Sequence, residues 1–281
     1  MTILTRAWLV GACLIGLVGC STAPEATPAP SPPAAATQAP ASLEAYYDQE
    51  LDWSSCEGGA ECARLTVPID YADPSAGDTT VALLRTTGSK PLGSLVVNPG
   101  GPGGSGVDYA RAAGQIFSAD VTDNYQIVGF DPRGVGRSAP VDCLTDKQLD
   151  KWIALDGDPD SAAAEADLVA AAKRFGARCL RNTGDLLAHV DTASVVRDLD
   201  VLRGALREPR LNFLGFSYGS RIGALYAEDF GPTTGRMVLD GILAPQLSAD
   251  EVGLGQAKGF DDALRRYVED RPDGSHELTV A

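Results

Sequence analysis

Leu211-Asn212-Phe213-Leu214-Gly215-Phe216-Ser217-Tyr218-Gly219-Ser220-Arg221-Ile222-Gly223-Ala224-Leu225-Tyr226 changes its period in the middle. The first six residues are an almost unbroken apolar run, as expected of a strand covered on both faces. From Tyr218 to Phe230 the pattern is helical, and Gly231-Pro232 stops it. Gly219, Gly223 and Ala227 recur every fourth residue, so this helix can lie close on a sheet. The joint itself is Gly215-Phe216-Ser217-Tyr218-Gly219, a G-x-S-x-G motif between strand and helix. A sharp, strained turn needs such small flanks. It would thrust the Ser217 hydroxyl to the C-terminal edge of the sheet, where a helix N-terminus favours developing negative charge. Ser217 is the candidate nucleophile.

Working outward, short apolar runs alternate with helical segments from Leu43 onward, the pattern of an α/β domain built on a mostly parallel sheet with helices on both faces. The expected strands are Ala63–Pro68, Thr80–Arg85, Gly93–Asn98, Gln126–Asp131, Leu211–Phe216 and Arg236–Leu239. About eighty residues separate the fourth from the fifth and carry three helical patterns. In the last of these, Val195, Leu199, Leu202 and Leu206 form one stripe, and its neighbour at 160–181 is Ala-rich. A final helix is expected from Ser248, with Glu251 placed for a capping box and Phe260, Leu264 and Tyr267 as later apolar positions.

Two further loops fall at strand ends. Asn98-Pro99-Gly100-Gly101-Pro102-Gly103-Gly104-Ser105-Gly106 follows the third expected strand. Gly101 to Gly106 satisfies G-x-G-x-x-G, so a dinucleotide site must be weighed. Against it, Pro occupies the first variable position and the loop follows the third strand rather than the first. Where a serine attacks a carbonyl on such a sheet, this loop supplies one oxyanion amide and the residue after the nucleophile the other. Gly101 and Tyr218 are the candidate donors. The third loop, Gly129 to Ser138, holds Asp131 and Arg133, expected to pair with each other and brace the elbow. Asp240 is assigned to local structure in the Leu239-Asp240-Gly241 turn.

Composition narrows the class. The 281 residues carry 23 Lys+Arg and 38 Asp+Glu, a net charge of −15 that argues against a nucleic-acid partner. At the N-terminus, Arg6 precedes an apolar stretch from Ala7 to Val18, too short to span a bilayer and suited to a signal peptide over 1–19. Leu17-Val18-Gly19-Cys20 looks like a bacterial lipobox, which makes Cys20 the candidate for lipid attachment. Residues 20–42 are mostly Pro, Ala, Thr and Ser and read as a tether, leaving 43–281 as the folded domain. The expected location is therefore exported, lipid-anchored on the outer face of the cell membrane. Apart from Cys13 and Cys20, four cysteines remain, and an even number in an exported chain suggests two disulfides. Three connectivities exist; Cys56–Cys62 and Cys143–Cys179 are favoured. With two histidines, neither at ligand spacing from a cysteine, no metal is expected, and no cofactor.

The glycine loop, GFDPRGVGRSAPVDC, LNFLGFSYGSRIGALYA and RMVLDGILAP, in this order, resemble the α/β-hydrolase family of exported tripeptidyl aminopeptidases, proline iminopeptidase-like enzymes and bacterial lipoprotein carboxylesterases and proteases. The resemblance runs from about Cys56 to Tyr267. It implies Ser217 as nucleophile, the Gly100-Gly101-Pro102 loop as oxyanion site, and release of short peptides from N-termini or cleavage of esters. It also implies an acid and a histidine on later strands, beyond a helical lid starting near 248. Only 64 residues follow Ser217, and Asp270-Arg271-Pro272-Asp273-Gly274-Ser275-His276 onward departs from the family pattern. The expectation is a C-terminally incomplete hydrolase, with His276 as the base that remains and activity impaired unless a complementing C-terminal half supplies the rest. His189 precedes the serine and breaks the usual order. A non-catalytic lipoprotein binding peptide or acyl ligands on the same fold, or an acyltransferase using the same serine, are the rival readings.

Overall fold

The structure, a computed structural model, describes residues 40–270. The expected signal peptide, Cys20, the expected tether up to residue 39 and His276 lie outside the described residues. Among the described residues seven strands form one sheet in the order β1-β2-β3-β5-β4-β6-β7. They are β1 (Ser54–Ser55), β2 (Glu61–Pro68), β3 (Asp78–Thr86), β4 (Ser94–Asn98), β5 (Gln126–Phe130), β6 (Leu211–Phe216) and β7 (Thr234–Asp240). All six expected strands are present: β2, β3 and β7 are longer than expected by two or three residues, β4 and β5 are one residue shorter, and β6 has the expected bounds. β5, β4, β6 and β7 run parallel, while β1, β2 and β3 join antiparallel beside β5.

Alternation along the strands splits the core in two. Leu83, Val96, Val128 and Phe213 point to one face, where α1 (Glu44–Tyr47), α7 (Thr192–Ala205) and α8 (Tyr218–Asp229) cover them. Their neighbours Leu84, Val97, Ile127 and Leu214 point to the other, against α2 (Gly106–Arg111) and α3 (Ala113–Ile116). The short α4 (Ala119–Asn124) leads into β5. Between β5 and β6 the chain makes α5 (Asp146–Ile153), α6 (Ala162–Thr183) and a 3-10 turn before α7. The expected disulfides close here and near the start: Cys143 to Cys179, and Cys56 to Cys62.

Val195, Leu199 and Leu202 are buried as one stripe of α7, but the helix is hidden on more sides than one. Asp198, Asp200 and Arg203 are buried as well, each with a partner. Asp200 accepts from Tyr47 Oη (2.7 Å), Tyr226 Oη (2.7 Å) and Arg203 Nε (2.7 Å), tying α1, α7 and α8 together. The last helix, α9 (Ala249–Glu269), starts at the expected capping box, in which Ser248 N donates to Glu251 Oε2 at 2.8 Å and Ser248 Oγ accepts from Glu251 N at 3.3 Å.

Register sets the functional edge. Asn98 pairs with Gly215, and Phe216 pairs with Asp240, so the loops after β4, β6 and β7 leave the sheet side by side. The loop after β5 emerges next to them, because Val97 pairs with Gly129.

Candidate active site

Ser217 occupies the turn between β6 and α8 with φ 52° and ψ −119°, a conformation few non-glycine residues adopt. Such strain costs about 1–3 kcal/mol and persists only where surrounding bonds enforce it. Here the bonds are evident. Ser217 N donates to the Asp240 carbonyl at 2.8 Å, and the Ser217 carbonyl accepts from Ser220 N at 2.9 Å and Ser220 Oγ at 2.5 Å. Ser220 Oγ in turn accepts from Leu243 N at 2.8 Å. The side chain so presented is exposed. Gly219 is required by close approach, since a Cβ there would lie 2.7 Å from the Asn98 carbonyl oxygen.

The glycine loop rests against this turn. Gly100 N donates to Asn98 Oδ1 at 2.9 Å, and Gly104 N donates back to the Gly100 carbonyl at 2.9 Å. At Gly100, with φ 88°, a Cβ would lie 2.9 Å from Tyr218 N and 3.1 Å from Ser217 Cβ, and would overlap the Phe216 carbonyl. Gly101 follows, with φ 114°, folded over Gly103 and Gly104. Tyr218 N is the first amide of α8, where no intrahelical acceptor exists. The Tyr218 hydroxyl is hydrogen-bonded to Thr192 Oγ1 at the start of α7.

Asp131 and Arg133 are both fully buried, but they do not pair with each other. Asp131 is saturated by other donors: Oδ1 accepts from Ser105 Oγ (2.5 Å) and Val107 N (3.1 Å), and Oδ2 from Arg137 N (2.8 Å). It thereby holds the start of α2, and the glycine loop with it. Arg133 turns the other way and grips Asp198 through Nε (2.7 Å) and Nη2 (2.6 Å). Its remaining protons go to the carbonyls of Pro68, Ile69 and His189. Burial, then the Asp198 hydrogen bonds, are the main influences on a guanidinium whose pKa ends above its usual value.

His189 aims its ring at Asp70, with Nδ1 4.0 Å from Oδ1. Nothing brings it to Ser217. Asp240 meets the serine through its carbonyl, and the charge of its carboxylate acts on Tyr109 of α2. Burial first, and that carboxylate second, push the Tyr109 phenol up. Tyr109 also packs on Phe216, ring centroids 5.7 Å apart, beside the elbow. Sequence inspection missed Ser220 and Thr192. Ser220 stands three residues into the helix from Ser217, a spacing at which a hydroxyl can return to the elbow carbonyl. No local pattern marks Thr192. Among the described residues no cluster of three or more His, Cys, Asp or Glu could hold a metal ion, and no helix is long and apolar enough to cross a membrane.

A strained, exposed serine on a strand–helix turn, with a glycine loop packed against it from the neighbouring parallel strand, has the geometry of a nucleophile elbow on an α/β sheet. The chain belongs to the alpha/beta hydrolase fold family, whose model matches residues 93–280. It is similar to the serine protease Hip1 of Mycobacterium tuberculosis, 41% identical over 240 residues, covering 81% of this chain and 46% of the relative. It is also similar to a tripeptidyl aminopeptidase of Streptomyces lividans, 38% identical over 207 residues, covering 69% and 38%. Carboxylesterase B of Mycobacterium tuberculosis is 35% identical over 235 residues, covering 79% and 45%. The chain spans about half the length, or less, of the curated relatives it matches.

Proposed function

We propose that this chain carries the nucleophile and oxyanion portion of a serine hydrolase acting on peptides or esters. Ser217 Oγ attacks the substrate carbonyl carbon and gives up its proton to a base; the carbonyl oxygen becomes an oxyanion facing the amides of Tyr218 and Gly101. The tetrahedral species collapses, the C–N or C–O bond breaks, and the leaving amine or alcohol takes the proton from the base. Water then releases the acyl group by the same steps in reverse order. The observation that carries this proposal is the strained Ser217 backbone held by Asp240, Ser220 and the glycine loop, with its side chain exposed.

The base is the missing partner among the described residues. We propose that His276 or a complementing C-terminal half supplies it. Without a base a serine hydroxyl loses about 10⁶ in turnover in a well-studied triad, while binding and oxyanion donors retain about 10³–10⁴ over water. Names among the relatives suggest removal of short peptides from N-termini, or ester cleavage, as the substrate class. We further propose a signal peptide over 1–19, a lipid anchor at Cys20, a tether over 20–42 and a domain over 43–281 whose lid starts near 248, which together place the enzyme on the outer face of the membrane.

A fluorophosphonate probe tests the assignment, applied to the chain alone and together with the C-terminal half of a relative. Adduct mass on the peptide containing Ser217, absent in Ser217→Ala, is expected. A folded chain that takes no label at Ser217 under either condition overturns the proposal in favour of a non-catalytic peptide- or acyl-binding lipoprotein. Preferential transfer to an added alcohol or amine would make the enzyme an acyltransferase.

A further inference from the structure

The α5–α6 excursion contains a groove that the chemistry at Ser217 does not use. α5 presents Gln148, Lys151 and Trp152 at i, i+3 and i+4, and α6 faces them with Arg174, Phe175 and Arg178. Trp152 and Phe175 stack across the interface with centroids 4.8 Å apart and planes 22° from parallel. The disulfide Cys143–Cys179 secures the same pair of segments. The space between them is about 280 Å³.

Its charge is unusual for this protein. In a chain of net charge −15, three cations line one groove and no carboxylate lines it. Among the described residues, none of Lys151, Arg174 and Arg178 is ion-paired with an acid. Facing like charges oppose helix association, and the stacked rings and the disulfide hold the helices without them. Lys151 and Arg174 are exposed and Arg178 is half-buried, so all three can reach an anion entering the groove from solvent. The two arginines stand one helical turn apart, a spacing that one carboxylate can bridge with charge-assisted hydrogen bonds. The Trp152–Phe175 wall offers an apolar surface for the rest of the ligand. The volume lies near the small end of ligand sites.

We propose that the α5–α6 groove binds a small amphiphilic carboxylate, its anionic head between Arg174, Arg178 and Lys151 and its aromatic or short alkyl body against Trp152 and Phe175.

Calorimetric titration of the full chain with 1-naphthylacetate tests this, with neutral 1-naphthylacetamide as the uncharged counterpart. One equivalent of the acid is expected to bind, with quenching of Trp152 fluorescence. The amide, or the Arg174→Gln/Arg178→Gln variant, should bind at least tenfold more weakly. Arg174→Lys/Arg178→Lys should recover part of the loss. Lys173→Gln, on an exposed position of α6 outside the groove, should bind as the parent does. Ser217→Ala should also leave the affinity unchanged, which separates this site from the hydrolase assignment. Equal affinity for acid and amide, unchanged affinity in a folded Arg174→Gln/Arg178→Gln variant, or no binding at millimolar ligand overturns the proposal. Association with phosphatidylglycerol vesicles, without binding of the free acid, overturns it too and assigns the cations to a lipid surface.

Discussion

Replacing Arg133 by Met keeps a side chain of useful length and removes five hydrogen bonds at once. Two of them, at 2.7 and 2.6 Å, neutralise Asp198, whose side chain is 2% exposed. Tyr71 Oη would remain as a donor to that carboxylate at 2.8 Å, but no cation would. Stranding one member of a buried pair costs about 3–5 kcal/mol. The carbonyls of Pro68, Ile69 and His189 also lose donors, which places the expected loss at the upper end of that range. In a domain of this size about 1 kcal/mol moves the melting temperature by roughly 2–4 °C, so a fall of about 8–20 °C is expected. Thermal and urea unfolding with disulfides intact measure it. The decisive experiment is the cycle with Asp198→Leu, because the double variant strands no charge. The double variant should be more stable than the sum of the single losses predicts, by about 2 kcal/mol or more. Additivity within about 0.5 kcal/mol, or an Arg133→Met variant within about 1 kcal/mol of the parent, would refute the account of this residue as the joint between β2, the loop after β5 and α7.

Further outcomes follow from other contacts. Gly100→Ala introduces a Cβ that overlaps the Phe216 carbonyl, at a φ of 88° that strains any side-chain-bearing residue, and so displaces the glycine loop; losing one oxyanion donor costs about 10²–10³, so fluorophosphonate labelling of Ser217 should slow by that order, and the melting temperature should fall as well. Ser138 Oγ donates to the Asp131 carbonyl at 2.5 Å and accepts from Ala82 N at 2.7 Å, so Ser138→Ala leaves two buried backbone groups short and should cost about 1–3 kcal/mol in denaturant unfolding. Burial alone would raise the Asp200 carboxyl, but hydrogen bonds from Arg203, Tyr226 and Tyr47 outweigh it and hold the group below its ordinary value. Because the folded form binds its proton less tightly, this stabilisation is complete above about pH 4 and lost as pH falls further, so Asp200→Asn should flatten the acid limb of a stability–pH curve. Cys143→Ser/Cys179→Ser opens a loop with a sequence separation of 36 and should lower stability by about 3–4 kcal/mol in the chain-entropy picture, read as a drop in melting temperature.

The elbow and the strands were legible because their physics is local. An apolar run followed by a helical period, with glycines where backbones touch, leaves a signature within fifteen residues around Ser217. The same holds for the α9 capping box, where Ser248 and Glu251 are three residues apart. The helices α2, α3 and α4 went unread because four to six residues are too few to display a period. The partners of Arg133 were hidden for a different reason. Proximity in sequence suggested Asp131, but Ser105, Val107 and Arg137 already saturate that carboxylate, and the guanidinium reaches Asp198, 65 positions away. Buried charges on α7 likewise look like a solvated face until Tyr47, Tyr71 and Tyr226, from distant segments, close over them.

The amide of Ser217 is tethered to the far end of β7, and Ser220 carries that tether on to Leu243. The serine's posture is thus a property of a stretch some thirty residues long, not of the five-residue motif. Anyone wishing to transplant the turn into another scaffold would have to carry the following helix and the next strand as far as residue 243, together with the glycine loop that rests against the turn. A shorter graft would copy the letters and let the backbone relax out of its tension.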